Sequence, residues 1–290
     1  MGIPMPQLPG VEHRFVEVGG LRFHVAEAGE GDPVVLLHGW PQNWWEWRRL
    51  TPLLADRYRL ICPDTRGSGW SDAPESGYDK DTMARDILGL MDALELDRVR
   101  MVGHDVGGYL GFLICLRAPE RVVRYVSLNT GHPFGRPTLA ALGTFWRFWY
   151  WPVNGAPIVG PSLIRHAFFS RALRSWFTAV QAGWSPEDTD VFLAPWEEPA
   201  RALAASKTYR TYLLVDAPRV LSGRYRKTRL TVPTLMLHGI EDKILREPFL
   251  RGFEPFADDM TLELVPGAGH FIADEKPELV AERVLGFFNP

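Results

Sequence analysis

Short apolar runs alternate along the chain with stretches of helical periodicity. A weak alternation over Arg14–Ala28, interrupted by Gly19-Gly20, predicts a β-hairpin. Continuous apolar runs are typical of strands buried on both faces. Four strands are predicted after the hairpin: Pro33–Leu37, Tyr58–Cys62, the short run from Val99 to the break at Gly103, and Val122–Leu128. Strands that alternate with helices predict parallel pairing through right-handed crossovers.

The predicted helices lie between these strands. Asn43 begins a variant of the capping-box pattern and predicts a helix that runs to about Leu54. Met83, Ile87, Leu90, Met91 and Leu94 share one face at helical spacing, which predicts an amphipathic helix packed on the sheet.

The pattern changes after about His132. Residues 133–229 show helical and loop segments without a convincing strand, and they carry much of the Trp and Pro. Strands resume at Val232–Gly239 and Met260–Val265, and a last amphipathic helix contains Val280, Val284 and Phe287. We therefore predict a core over 1–132 and 230–290, with an inserted helical lid over 133–229.

Composition excludes several classes of protein. A net charge of −3 gives no reason to expect nucleic acid or an anionic membrane surface as a partner. No leader, no apolar run of about 18 residues and no cofactor or metal motif is recognised, so we expect a cytoplasmic, cofactor-independent protein. Cys62 and Cys115 are expected to be buried and reduced. The oligomeric state is left open, a homodimer included.

The sequence around Asp105 predicts a strand, a sharp turn and a helix. Gly103-His104-Asp105-Val106-Gly107-Gly108 sets an acid between small residues, which permit a cramped turn. This is the pattern of a nucleophile elbow with aspartate in place of serine. The alternative interpretation is that Asp105 only caps the N-terminus of the helix.

Other polar residues follow strand ends and should share one edge of the sheet. His38, Asp64 and Asn129 do so in the first part of the chain. Asp242 and His270 follow the last two strands, and the order nucleophile, acid, base is that of an α/β-hydrolase. Glu241 is the alternative acid, and His270 could instead be an ordinary buried histidine.

The chain resembles the α/β-hydrolase superfamily, and within it the aspartate-nucleophile branch of epoxide hydrolases and haloalkane dehalogenases. The motifs are His38-Gly39-Trp40-Pro41, Gly103–Gly108, Asp242 and Gly269-His270. The resemblance implies an α/β-hydrolase fold: a mostly parallel eight-stranded sheet flanked by helices, with an inserted helical lid.

A carboxylate nucleophile suits attack on a saturated carbon and yields an alkyl ester on Asp105. His270 would activate the water that hydrolyses this ester, and Asp242 would orient the imidazole. The backbone N–H groups of Trp40 and Val106 are the expected oxyanion hole.

The leaving group distinguishes the relatives. The resemblance implies two lid tyrosines that protonate an epoxide oxygen. Tyr209, which is followed by Arg210, and Tyr150 match them, with Tyr212 as the fallback. Each could instead pack in the lid core. We therefore expect an apolar epoxide, with an aryl or medium alkyl group, and water as reactants.

Aromatic side chains would complete the substrate site. Trp40, Trp149 and Phe271 are expected to line it.

Two alternatives remain. A haloalkane or haloacid dehalogenase would use the same triad, but Val106 has no side-chain donor for a halide, Trp40 alone is an incomplete clamp, and the Asn129 amide cannot replace an acid. A ligand-binding protein with weak turnover is the alternative of another class. His38 and His104 are expected to be structural, and Asp64 and Arg66 to brace their loop by a salt bridge.

Overall fold

The computed structural model describes residues 4–136, 143, 145–166 and 184–289. Its centre is an eight-stranded sheet in the order β1-β2-β4-β3-β5-β6-β7-β8. The strands are β1 Val11–Val18, β2 Leu21–Ala28, β3 Asp32–Leu37, β4 Tyr58–Pro63, β5 Val99–His104, β6 Val122–Leu128, β7 Thr234–Gly239 and β8 Met260–Val265. β2 is antiparallel to β1 and β4, and the other pairs are parallel. The predicted fold class is confirmed.

The hairpin forms as predicted. Val18 pairs with Leu21 across Gly19-Gly20. Both glycines have positive φ, +58° and +80°, as a two-residue turn between twisted strands requires.

Helices cover the sheet and continue beyond it. The described α-helices are α1 Thr51–Leu54, α2 Lys80–Ala93, α3 Asp105–Arg117, α4 Tyr150–Gly155, α5 Val159–Arg165, α6 Pro186–Leu193, α7 Pro199–Thr211, α8 Ala217–Leu221, α9 Ile272–Glu275 and α10 Pro277–Phe288. No described helix is both long and apolar enough to cross a membrane.

Two apolar layers enclose the sheet. On one face, Ile87 of α2 and Leu110 of α3 pack with Val35 and Met101 of the strands. On the other face, the layer contains α10, the segment around Trp47 and the remaining strand side chains. Strands between two such layers are apolar at successive positions, which is why they appear in the sequence as continuous runs.

One helix prediction needs correction. After Asn43, whose side chain accepts a hydrogen bond from the Trp45 amide as predicted, the chain forms a 3₁₀-helix over Trp44–Arg49 and only then the short α1. Pro52 lacks the N–H that a continuous α-helix would need at that point. The predicted last helix is confirmed as α10, in which Val280 and Val284 are buried and Phe287 is half-buried against the same layer.

The predicted lid segment, residues 133–229, consists of helices and connecting turns wherever the structure describes it. Its described parts contain α4 to α8, several 3₁₀ turns and a π-helix over Tyr212–Asp216, with no strand among them. α7 packs against both α4 and α5. The exact bounds of this segment stay a prediction.

Candidate active site

The turn at the end of β5 holds Asp105 in a strained conformation. Its φ is +47°, a left-handed value that costs a non-glycine residue about 1–3 kcal/mol. A Cβ on Gly103 would lie 2.6 Å from the Gly107 carbonyl oxygen, and one on Gly107 would lie 2.2 Å from that of Leu37. The glycines of this motif are therefore required by close backbone packing, and Asp105 starts α3 at the edge of the sheet.

The loop after β3 meets this turn. The Trp40 amide donates a hydrogen bond to Oδ2 of Asp105 at 3.1 Å. Val106, the first residue after Asp105, lies with Trp40 on the wall of a cavity of about 20 Å³. That volume holds about one water molecule. The backbone groups predicted as an oxyanion hole thus flank the acid.

His270 and Asp242 form a buried pair. The ring Nδ1 of His270 lies 3.0 Å from Oδ2 of Asp242, and both side chains are at most 2% exposed. Burial alone would raise the pKa of Asp242, but the charge and hydrogen bond of His270 hold that pKa well below its usual range. Asp242 is thus the acid that contacts the histidine. The alternative, Glu241, instead accepts hydrogen bonds from the amides of Gly267 and Ala268.

Asn129 has a role that the sequence reasoning missed. Its amide donates to Oδ2 of Asp242 at 2.8 Å and to the Gly269 carbonyl oxygen at 3.0 Å. The amides of Ile244 and Leu245 donate to the other carboxylate oxygen of Asp242. Asn129 cannot act as an acid, but its place at the end of β6 lets it orient one. Its strand-end position was the available signal.

The two predicted lid tyrosines lie together. Their ring centroids are 6.0 Å apart in an edge-to-face arrangement, and Tyr209 also meets the Trp40 ring at 5.3 Å. Burial and the charge of Asp105 both raise the pKa of Tyr150 well above its usual range. Burial, Tyr150 and Asp105 do the same for Tyr209. The charge of Asp105 therefore acts on both phenols, and it also contributes to the raised pKa of Tyr212.

Tyr212, the fallback, has different neighbours. Its ring packs edge-on against Trp151 at 4.6 Å, and the buried ammonium of Lys80 lies 5.9 Å from the ring centroid. Tyr212 begins the π-helix that follows α7.

A mostly aromatic cluster packs around the two lid tyrosines. Phe271 is 2% exposed and packs between His270 and Trp184, at 5.1 and 4.7 Å. The buried members of the cluster are Phe148, Tyr150, Trp184, Phe192, Ile244 and Phe271. Trp149, also predicted to line the site, is 45% exposed. Trp149 directly precedes Tyr150 at the start of α4. Because Tyr150 points into the cluster, the adjacent Trp149 points away from it and is not a member.

The residues predicted to be structural have definite partners. His38 contacts the Gly39 carbonyl oxygen and accepts a hydrogen bond from the Thr65 amide, as expected of a loop-bracing residue. The predicted salt bridge between Asp64 and Arg66 is wrong. Asp64, at the buried end of β4, contacts His24 of the neighbouring β2 at 2.8 Å.

Arg66 pairs outward instead. Its guanidinium forms two short hydrogen bonds with Asp86 of α2, at 2.6 and 2.7 Å.

The sequence reasoning also missed a buried ion network. The Arg48 guanidinium contacts Asp188 of α6 and Asp274 of α9, each at 2.6 Å. The indoles of Trp45 and Trp184 donate to the same two carboxylates at 2.7 Å. The network joins the predicted lid to the segment after His270. The capping box that begins at Ser185 was its only local signal.

No cluster of three or more His, Cys, Asp or Glu arranged to hold a metal occurs within the described ranges. What the arrangement offers is an acid, a histidine–carboxylate pair and two phenols, with backbone donors beside the acid.

Comparison with known proteins gives consistent matches. The family model described as the alpha/beta hydrolase fold matches residues 32–277. A soluble epoxide hydrolase from Corynebacterium sp. (strain C12) is 30% identical, and the aligned region covers 97% of this chain and 98% of that protein. A fluoroacetate dehalogenase from Burkholderia sp. is 29% identical, and the aligned region covers 97% of this chain and 94% of that protein. An epoxide hydrolase solved without ligand superposes with a TM-score of 0.83 at 29% identity. The superposition covers 97% of this chain and 99% of that one.

Proposed function

Because this chain belongs to the alpha/beta hydrolase fold family, we propose that it hydrolyses an apolar epoxide to a vicinal diol through an ester on Asp105. The observation that carries the proposal is the position of that acid. It lies in a strained turn and accepts a hydrogen bond from the Trp40 amide, and the Trp40 ring packs against Tyr209, whose ring meets the buried Tyr150. The epoxide hydrolases among its relatives support the same reaction.

In the first step a carboxylate oxygen of Asp105 forms a bond to one epoxide carbon, and the bond from that carbon to the ring oxygen breaks. The oxygen takes a proton from Tyr209 or Tyr150. Asp105 is part of the charge environment that raises both phenol pKa values. Esterification removes that charge, so the phenols become stronger acids as the alkoxide forms.

In the second step His270 takes a proton from water, and the hydroxide adds to the carboxyl carbon of Asp105. The amides of Trp40 and Val106 stabilise the oxyanion, each worth roughly 3 kcal/mol. The intermediate collapses, and the departing alkoxide takes the proton from His270. Asp105 then loses its carboxyl proton, which restores the tyrosine.

Asp242 keeps the histidine in the tautomer that this step needs. Its carboxylate accepts a hydrogen bond from the Nδ1–H of His270, which leaves Nε2 as the base. The aromatic cluster around Phe271 favours an apolar substituent on the epoxide.

The test is a single turnover with styrene oxide in a variant that cannot hydrolyse the ester. His270→Gln should accumulate protein whose mass is increased by one epoxide, on the peptide that contains Asp105. Asp105→Asn should remain unmodified, and Glu263→Gln, which alters an outlying pair with Arg283, should turn over like the wild type. Diol formation at the normal rate by His270→Gln would refute the proposal.

A dehalogenase is the second candidate, on one observation. The indole Nε1 of Trp40 is buried and has no hydrogen-bond acceptor within the part of the chain that the structure describes. Such a donor suits a departing halide, and a fluoroacetate dehalogenase is among the relatives. Halide release from bromoalkanes or fluoroacetate, without diol from styrene oxide, would favour this candidate.

A further inference from the structure

His104, directly before Asp105, is fully buried and contacts two other segments. Its Nδ1 lies 3.0 Å from Oε1 of Glu46, in the 3₁₀-helix after β3. Its Nε2 lies 2.8 Å from the backbone carbonyl oxygen of His270. Both ring nitrogens therefore face oxygen atoms.

The two contacts favour a proton on each ring nitrogen, one in a hydrogen bond and one in an ion-pair contact. A carbonyl oxygen only accepts, so Nε2 of His104 must carry a hydrogen. The lone pair of a neutral ring would then face the Glu46 carboxylate across 3.0 Å, which is repulsive. Glu46 accepts the Gly39 amide hydrogen on its other oxygen at 2.8 Å. A second proton on Nδ1 makes the ring cationic and turns this contact into a close, buried ion pair.

The surrounding charges agree with a cationic ring. Two carboxylates act on it, Glu46 across the contact and Asp105 along the chain, while the rings of His270 and His238 are the basic groups nearby. Burial alone would lower the pKa of His104, but Glu46 and Asp105 together raise it to about 9.

We propose that Glu46 holds His104 as an imidazolium at neutral pH, and that this pair positions the three segments around Asp105. Glu46 fixes the Gly39 amide, next to the Trp40 amide that meets the acid. His104 fixes the backbone of His270. Gly39 packs tightly against His104 and Asp105, since a Cβ on Gly39 would lie 2.7 Å from both Nδ1 of His104 and Cβ of Asp105.

The charge state can be measured without turnover. In protein labelled with ¹⁵N in its histidine rings, NMR at pH 7 should show two protonated ring nitrogens for His104. Glu46→Gln removes the carboxylate but keeps its size, and should leave one. A single protonated nitrogen for His104 in the wild type would overturn the proposal.

The positioning role, which rests on the proposed function, needs a kinetic readout. In single turnovers of styrene oxide, Glu46→Gln should slow ester hydrolysis by roughly 10- to 100-fold, because small displacements of reacting groups have effects of this size. The matched control Glu263→Gln should not change it. A lower melting temperature with an unchanged hydrolysis rate would reduce the pair to a packing role and overturn the positioning claim.

The two failures are distinguishable. If neither variant nor wild type forms an ester or a diol, the proposed function is wrong, and the NMR result still decides the charge state of His104.

Discussion

Replacing Tyr209 with Phe tests the feature that separates an epoxide from a halide as substrate. Tyr209 lies 6.0 Å from Tyr150 and 5.3 Å from Trp40, between centroids, so Phe keeps the ring packing and removes only the hydroxyl. A hydrogen bond to a charged group contributes about 1.5–3 kcal/mol, which corresponds to roughly 10- to 150-fold in rate. We expect esterification by styrene oxide to slow by this factor.

The assay is rapid-quench mass spectrometry, which follows the esterified protein. Hydrolysis of the ester, once formed, should change much less, because His270 and Asp242 carry that step. Tyr150→Phe should act similarly, and the double variant should lose more than either single one. Esterification at the wild-type rate in the double variant would refute the assignment of these phenols. Tyr212→Phe is the control, since its ring faces Trp151 and Lys80.

Three further predictions concern the surrounding network. Asp242→Asn should slow ester hydrolysis by about 10³- to 10⁴-fold through the wrong His270 tautomer, with accumulated ester as the readout; an unchanged rate would contradict the assignment. Arg48→Met removes the cation that pairs with the buried Asp274. In urea titrations the free energy of unfolding should fall by about 3–5 kcal/mol, whereas replacing an exposed arginine in the same way should change it by almost nothing. The stabilisation from the raised pKa of His104 is fully present below about pH 6.5 and lost as pH rises through about 9. The stability advantage over His104→Gln should therefore shrink by up to about 3 kcal/mol, and an advantage independent of pH would contradict the cationic ring.

The fold was readable from the sequence because its strands are buried on both faces. Val34–Leu37 is apolar at each position, and every residue of it is buried, so the run itself indicates a central strand. The Asp105 turn was readable for a related reason. Close backbone packing demands glycine at Gly103 and Gly107, and that demand leaves a pattern in the sequence.

Partners distant in sequence were not readable. Asp64 contacts His24, 40 residues away, and Arg66 contacts Asp86, 20 residues away. Local spacing favoured a salt bridge between the two neighbours, but the sheet directs one side chain into the core. Arg48 was missed for the same reason, because its carboxylate partners come from segments far along the chain.

Side-chain direction was the other limit within the site. Trp149 and Tyr150 are adjacent aromatic residues, yet Trp149 is 45% exposed and Tyr150 only 4%. Their difference depends on how α4 begins and packs against α7, which periodicity does not encode over six residues.

The central claim is that a carboxylate oxygen of Asp105 bonds to the substrate carbon. A single turnover of styrene oxide in ¹⁸O-labelled water, with enzyme in excess, tests it directly. Hydrolysis at the carboxyl carbon places the label in the Asp105 side chain, and the diol carries none from the water. Label in the diol, with an unlabelled Asp105 peptide, would show direct attack of water on the epoxide and contradict the account.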